Sequence, residues 1–347
     1  MIVHAMASHS TTRPWIAQPH RPTSPSVSCV MPAYNEARNL EAVVEQVLNE
    51  LHTLELVCEL IVVDDGSRDD TAKVLQMLCD RHPEVVALQL SRNFGKEAAL
   101  TAGLDQANGD VVVLMDADGQ HPVSLLGPML QHWRDGFDMV YCVRTNRVDQ
   151  SRLHRLLTGF FYHLINWKAR VHIPSGAGDY RLMDRRVVQA LQRLPERNRL
   201  MKGLYAWVGF RSTSIEYEPL PRLGGRSHFR LGSSLSLALT GLVAFSTAPL
   251  RAMTYVGLGM AVLALLYALA VTVEYFAWGI AVPGYATIVV GMMLFSGLQL
   301  IGLGVLAEYV GRLYDEVKQR PLYLIGSQLG QGLACTVPNT PAPSDSA

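Results

Sequence analysis

Two aspartates two residues apart, in Asp116-Ala117-Asp118, are the feature with the most direct chemistry. Side chains i and i+2 of an extended segment point the same way, so both carboxylates can face one point. Hard divalent cations take oxygen ligands, and magnesium is held by one or two carboxylates together with substrate phosphates and water. The pair alone is a weak signal, but three other polar clusters accompany it. They are Pro32-Ala33-Tyr34-Asn35-Glu36, Asp64-Asp65-Gly66-Ser67 and Ser91-Arg92-Asn93-Phe94-Gly95-Lys96. Arg92 and Lys96 are cations suited to phosphate oxygens. A single Asn35 or Asp118 would be read as a helix cap; four clusters, each after an apolar run, predict a metal–diphosphate site. No G-x-x-x-x-G-K-[ST], strand-linked G-x-G-x-x-G, H-E-x-x-H or G-x-S-x-G is present, so neither a P-loop nor a dinucleotide fingerprint is expected.

The elements that must position these clusters are legible in the apolar pattern. Residues 27–31, 60–63, 85–90, 111–115 and 139–143 are mostly continuous apolar runs, as in strands buried on both faces. Between them Leu40, Val43, Val44, Val47, Leu48 and Leu51 mark one helix, Val74, Leu75 and Leu78 a second, and Leu125, Leu126, Met129, Leu130 and Trp133 another. Strand–helix alternation predicts an α/β, mostly parallel sheet, which binds ligands beyond the carboxyl ends of its strands. The polar clusters stand at those ends.

The chain has 347 residues, 49% hydrophobic and only 17% charged, with 30 basic and 30 acidic side chains; about 25% charged is usual. This excludes a disordered chain or small disulfide scaffold and argues against binding nucleic acid through bulk positive charge. The charge deficit is local, since Glu274 is the only formal charge in residues 252–307. Residues 252–275 and 285–307 are each long enough to span a bilayer. Arg251 precedes the first, and Arg312, Lys318 and Arg320 follow the second, so both outer flanks are expected in the cytoplasm. Residues 231–250, with Leu231, Leu235, Leu239 and Leu242 at helical spacing, predict an interfacial amphipathic helix, and 308–320 a juxtamembrane counterpart. Gly297, Gly302 and Gly304 would permit close helix packing, which leaves a homo-oligomer open. Residues 1–25 lack an apolar signal segment and, like 331–347, are expected to be disordered. The five cysteines contain no C-x-x-C and read as reduced structural thiols. Residues 144–230 carry 17 Arg/Lys against 6 Asp/Glu, an excess of 11 positive charges that suits an edge facing anionic lipid.

With Val30-Met31-Pro32-Ala33-Tyr34-Asn35-Glu36, Val63-Asp64-Asp65-Gly66-Ser67, Asn93-Phe94-Gly95-Lys96 and Asp116-Ala117-Asp118, the sequence resembles the family 2 inverting glycosyltransferases of the GT-A fold. Within that family it is similar to the polyprenyl-phosphate glycosyltransferases, above all the bacterial bactoprenol (undecaprenyl-phosphate) glucosyltransferases. Gly178-Asp179-Tyr180-Arg181-Leu182-Met183-Asp184, the Arg222…Gly225-Arg226-Ser227 segment and the two C-terminal spans carry this part of the likeness. The resemblance implies a Rossmann-like catalytic domain over 26–230 on the cytosolic side of the bacterial inner membrane. It implies a nucleotide-sugar site at Pro32, Tyr34, Glu36, Asp64, Asp65, Arg92, Lys96, Asp116 and Ala117. A Mg2+ or Mn2+ site at Asp116, Asp118 and Gln120 is implied too, with Asp179, Asp118 and Arg181 in the catalytic region. Arg222, Arg226, Ser227 and His228 would meet the acceptor or diphosphate. Here the chain departs from the family's Gly-x-Ser-Lys-Tyr: it has Gly225-Arg226-Ser227-His228-Phe229, exchanging a lysine for a histidine. UDP-glucose is the favoured donor and undecaprenyl phosphate the expected acceptor. GDP-mannose, a UDP-linked amino-arabinose and a non-enzymatic, membrane-tethered sugar-nucleotide sensor stay open. A processive synthase fits worse, because Gln131-His132-Trp133-Arg134 has the wrong order for Q-x-x-R-W.

Overall fold

The computed structural model describes residues 21–145, 177–197, 199–220, 248–278 and 284–333. Strands β1 (Val27–Ala33), β2 (Cys58–Asp64), β3 (Val85–Leu90) and β4 (Val111–Leu114) pair in parallel in the order β3-β2-β1-β4. They are apolar without alternation because helices cover both faces. On one side Cys29 and Met31 of β1 pack with α1 (Leu40–Thr53), α2 (Thr71–Arg81) and α4 (Leu126–Arg134). On the other, Val30 packs with α3 (Lys96–Gln106), α5 (Arg185–Gln192) and α6 (Met201–Trp207). The expected α/β sheet with its polar clusters at the strand ends is therefore present.

Four strands complete the sheet, and two of them run against the parallel set. These are β5 (Met139–Arg144), β6 (Ala177–Asp184), β7 (Ser212–Tyr217) and β8 (Ile325–Leu329), in the overall order β7-β5-β6-β4-β1-β2-β3-β8. The segment that reads in sequence as a catalytic motif, residues 178–184, is thus most of β6, inserted antiparallel between β4 and β5. Arg181 pairs with Leu114; the same register carried two residues further sets Asp179 beside Asp116. An antiparallel neighbour is what brings the beginning of one strand to the carboxyl end of another.

Beyond the sheet, α7 (Ala248–Trp278) and α8 (Tyr285–Lys318) are helices of 31 and 34 residues. The expected spans 252–275 and 285–307 fall within them. Residues 308–318 continue α8 without a break, so the juxtamembrane segment is no separate helix. Among the described residues, one stretch of 25 residues, Leu294–Lys318, is long and apolar enough to cross a membrane, with a mean hydropathy of 1.4 over its most apolar 18-residue window. Most of the expected interfacial helix 231–250 and both predicted tails lie largely outside the described residues, as do Arg222, Arg226, Ser227 and His228. After α8 the chain turns at Gln319, in the left-handed region with φ 50°, and returns to the sheet as β8, antiparallel to β3.

Candidate active site

The ends of β1, β2 and β4 enclose a cleft of about 310 Å³ whose walls include Pro32, Ala33, Tyr34, Glu36, Asp65, Asn93, Gly95, Lys96, Asp116, Ala117 and Asp118. Of the nine residues expected to hold a nucleotide sugar, seven are in this wall. Asp64 and Arg92 are not. Asp64 is buried at the end of β2, where it accepts from Ser67 N at 2.9 Å and so shapes the turn instead of facing the cleft. Arg92 lies over the Phe94 ring at 3.9 Å.

Local geometry explains why the loops hold their shape. The chain leaves β1 through Asn35, whose φ of 57° asparagine tolerates better than most side chains. Asn35 N donates to Ser67 Oγ at 2.8 Å, tying the first loop to the second. Gly66, at φ 66°, allows the second loop to touch the third: a Cβ there would stand 2.5 Å from the Arg92 carbonyl carbon. Asp65 then accepts from Phe94 N at 2.7 Å and Gly95 N at 2.9 Å, which orients the start of α3. Burial raises the Asp65 carboxyl while those two amides pull it down.

Lys96, the first residue of α3, is the centre of the charged floor. Its Nζ lies 2.6 Å from Asp116 Oδ1 and 2.8 Å from Asp179 Oδ2. Although burial opposes the charge, the two carboxylates hold the ammonium well above the usual lysine range. Asp179 is buried, which alone would raise its carboxyl, but Lys96, Lys202 and Arg181 hold it far below the usual carboxylate range. Its Oδ1 has no hydrogen-bond partner among the described residues.

Arg181 does not reach the cleft. It is 3% exposed, with Nη2 donating to Gly178 O at 2.6 Å and its guanidinium over the Tyr205 ring at 3.5 Å. A charge beneath Asp179 supports that carboxylate, so the expected catalytic arginine is placed as a structural counter-charge. Gln120 enters through its backbone: Gln120 N donates to Asp118 Oδ1 at 3.1 Å.

Residues 28–192 match the family described as Glycosyl transferase family 2. An uncharacterized glycosyltransferase of Synechocystis sp. is 42% identical over 304 residues, covering 88% of this chain and 96% of that one. The chain belongs to glycosyl transferase family 2. A bactoprenol glucosyl transferase of Shigella phage SfII is 40% identical over 301 residues, 86% of this chain and 97% of its own length. Among solved structures, a mannosyltransferase of Pyrobaculum calidifontis, in complex with GDP-Man and Mn2+, aligns at 18% identity with a TM-score of 0.46, over 88% of this chain and 91% of that one.

The glycosyltransferase has two site neighbours that sequence patterning passes over. His121 is buried and stacked on Tyr180, ring centroids 4.6 Å apart. It accepts from Asp116 N through Nδ1 at 3.0 Å, which places its proton on Nε2, 3.9 Å from Asp116 Oδ2. Burial lowers its basicity, so it holds the Asp116 backbone as a neutral ring. The only sequence signal was adjacency to Asp116-Ala117-Asp118.

Glu97 is the second. It accepts from Met201 N at 3.1 Å, and burial, with the Asp179 charge nearby, pushes its carboxyl up to about 7 from 4.5. A raised carboxyl favours the folded state at low pH and costs stability as pH rises from about 4.5 to 7. The shift corresponds to on the order of 3 kcal/mol. Glu97→Gln keeps the acceptor for Met201 N without the charge. The variant is expected to melt several degrees above the parent at pH 8 and within a degree of it at pH 4.5, as scanning calorimetry would show.

Proposed function

We propose that the enzyme transfers glucose from UDP-glucose to undecaprenyl or a similar polyprenyl phosphate, with inversion at the anomeric carbon, at the cytoplasmic face of a bacterial membrane. What carries the reading is the 40% identity to a bactoprenol glucosyl transferase over 97% of that protein's length, together with the charged cleft described above. In this reading residues 252–275 and 285–307 both span the membrane. The basic stretch 144–230, with Arg222, Arg226, Ser227 and His228, faces anionic headgroups and the acceptor phosphate.

The acceptor explains why the cleft needs no strong base. A phosphate monoester has a second pKa near about 6 and is largely a dianion at pH 7, already a competent nucleophile. The harder task is to bring that dianion in line with a sugar attached to another polyanion. Lys96 offers a fixed positive charge between the two halves of the cleft, and Asp179 fixes Lys96. Pro32, Tyr34 and Glu36 form the wall for base and ribose.

The donor set also fits a divalent cation. Asp116 and Asp118 both line the cleft, and hard oxygen donors beside a diphosphate suit magnesium or manganese. Asp118 and Asp116, with Gln120 adjacent, would hold the ion. When bound it would offset the charge of the leaving nucleoside diphosphate.

The test is incubation of the purified protein with undecaprenyl phosphate, Mg2+ or Mn2+, and radiolabelled UDP-glucose, GDP-mannose or UDP-N-acetylglucosamine. Label from UDP-glucose is expected in the organic phase, to disappear with EDTA and to return when either metal is added back in excess. Label from another donor would change the sugar but keep the chemistry. Nucleotide binding with no lipid product from any donor would overturn the reading in favour of a sensor.

A further inference from the structure

The chain's return from α8 to the sheet places β8 against the donor half of the cleft, where no sequence motif pointed. Ser91 N donates to Leu324 O at 2.9 Å, at the start of the loop that carries Asn93, Gly95 and Lys96. Ser327 Oγ donates to Gln89 Oε1 at 3.0 Å, and Gln89 Nε2 reaches Asp64 Oδ2 at 3.4 Å. Asp64 in turn accepts from Ser67 N, and Ser67 holds Asn35. A continuous path of hydrogen bonds therefore runs from β8 through β3 and the end of β2 to the loop between Tyr34 and Glu36. The strand is secured at both ends. Tyr323 donates to Asp105 Oδ2 of α3 at 2.8 Å, and Leu333 N to the buried Glu59 carboxylate at 2.9 Å. Gly330, at φ 77°, lies so close to β3 that a Cβ there would collide with the Val85 carbonyl oxygen.

These contacts do more than hide an edge. An edge strand needs only its backbone ladder to be covered, whereas here the Ser327 and Gln89 side chains connect it to the Asp64–Ser67 loop. The bond from Ser91 N to Leu324 O ties it to the start of the other loop in the wall for the donor. We infer that β8 is a positioning element for nucleotide-sugar binding and that Ser327 is its positioning residue, an inference that rests on reading this cleft as the nucleotide-sugar site. The strand sets the Asp64-Asp65-Gly66-Ser67 and Ser91–Lys96 loops in register with β1, and with them Asp65 and Lys96. Its removal loosens donor binding while the acceptor side is untouched.

The experiment compares full-length Ser327→Ala, Ser327→Thr and Gly330→Val with the parent, using UDP binding by calorimetry and steady-state kinetics. Loss of one exposed hydrogen bond is expected to weaken UDP binding by Ser327→Ala about two- to fivefold, with Ser327→Thr restoring it. Gly330→Val, which cannot seat the strand, is expected to weaken it tenfold or more. Donor KM should rise in parallel, with kcat at saturating donor and acceptor KM within twofold of the parent. A general loss of packing would lower melting temperature and kcat together and would not divide donor from acceptor. Should Gly330→Val fail to fold, Ser327→Ala alone decides. Parent-like UDP affinity in Ser327→Ala, or in a folded Gly330→Val, overturns the inference. A parent protein that binds no UDP or GDP would overturn the donor-site reading and this inference together.

Discussion

Lys96→Met is expected to lower kcat/KM by about a hundredfold or more while the protein remains folded. The ammonium is the shared partner of Asp116 and Asp179. Deleting it leaves two carboxylates facing each other, with Glu97 close behind. Removing one member of a buried ion pair costs roughly 3–5 kcal/mol. Because 44% of the Lys96 side chain is exposed, water screens part of that cost, which is a loss of stability. The hundredfold loss of rate has a separate origin, the removal of a preorganised charge at the reacting phosphates, about 3 kcal/mol of barrier. The stability effect has a defined pH window. Lys96 is raised above its ordinary value, so its contribution is present at lower pH and fades only as pH climbs past the lysine range. Asp179 is depressed, so its contribution is present above the ordinary aspartate pKa and fades as pH falls. The melting-temperature deficit of Lys96→Met should accordingly be present from about pH 5 upward, grow as pH passes about 7 where Glu97 ionises without its lysine neighbour, and shrink below about pH 4. Lys96→Arg keeps the charge but not the compact ammonium and should recover stability better than activity. Parent-like kinetics in Lys96→Met would remove Lys96 from the mechanism.

Asp179→Asn should lose as much activity as Asp179→Ala, at least about a hundredfold in kcat, without altering the pH dependence of what remains. A carboxylate held far below its ordinary range gains nothing by taking a proton, and a phosphate dianion has none that must be removed. Asp179 holds a fixed negative charge against Lys96 through Oδ2, and in the proposed reaction its Oδ1 would accept from a sugar hydroxyl or an acceptor-side arginine. Asparagine keeps the shape but lacks the charge. The decisive measurement is the pH–rate profile of parent and variant. If the acid limb of kcat vanished in Asp179→Asn, Asp179 would be a titrating base and the orienting role would be wrong.

The sequence made the walls of the cleft legible because buried parallel strands announce themselves as apolar runs and their carboxyl ends as polar clusters. Pro32, Tyr34, Glu36, Asp65, Lys96, Asp116 and Asp118, all taken from those clusters, line one cleft. The misplacements have physical causes. Asp64 looks like a ligand beside Asp65, but consecutive residues of a strand point to opposite faces, and only Asp65 faces the cleft. Strand β6 was hidden by Asp179 and Arg181, two charges where a buried strand should be apolar; the arginine is tolerated because it stacks on Tyr205 and bonds to Gly178. Helix α3 gave no stripe because Ala99, Leu100, Thr101, Ala102, Gly103 and Leu104 are all buried, which erases the polar face that periodicity depends on. Strand β8, Ile-Gly-Ser-Gln-Leu, is short and exposed; it is specified by the free edge of β3 more than by its own side chains.

That last strand changes what kind of appendage the apolar helices are. Since the chain returns to the same sheet after them, α7 and α8 form an excursion from within one folding unit, with sheet partners on both sides, β7 before and β8 after. A shortened protein that stops at residue 220 would therefore lack part of its own catalytic domain. It would leave the β3 edge bare, a template for pairing with another copy of itself. A soluble version of the enzyme would have to bridge the two flanks of the excursion and retain residues 323–333.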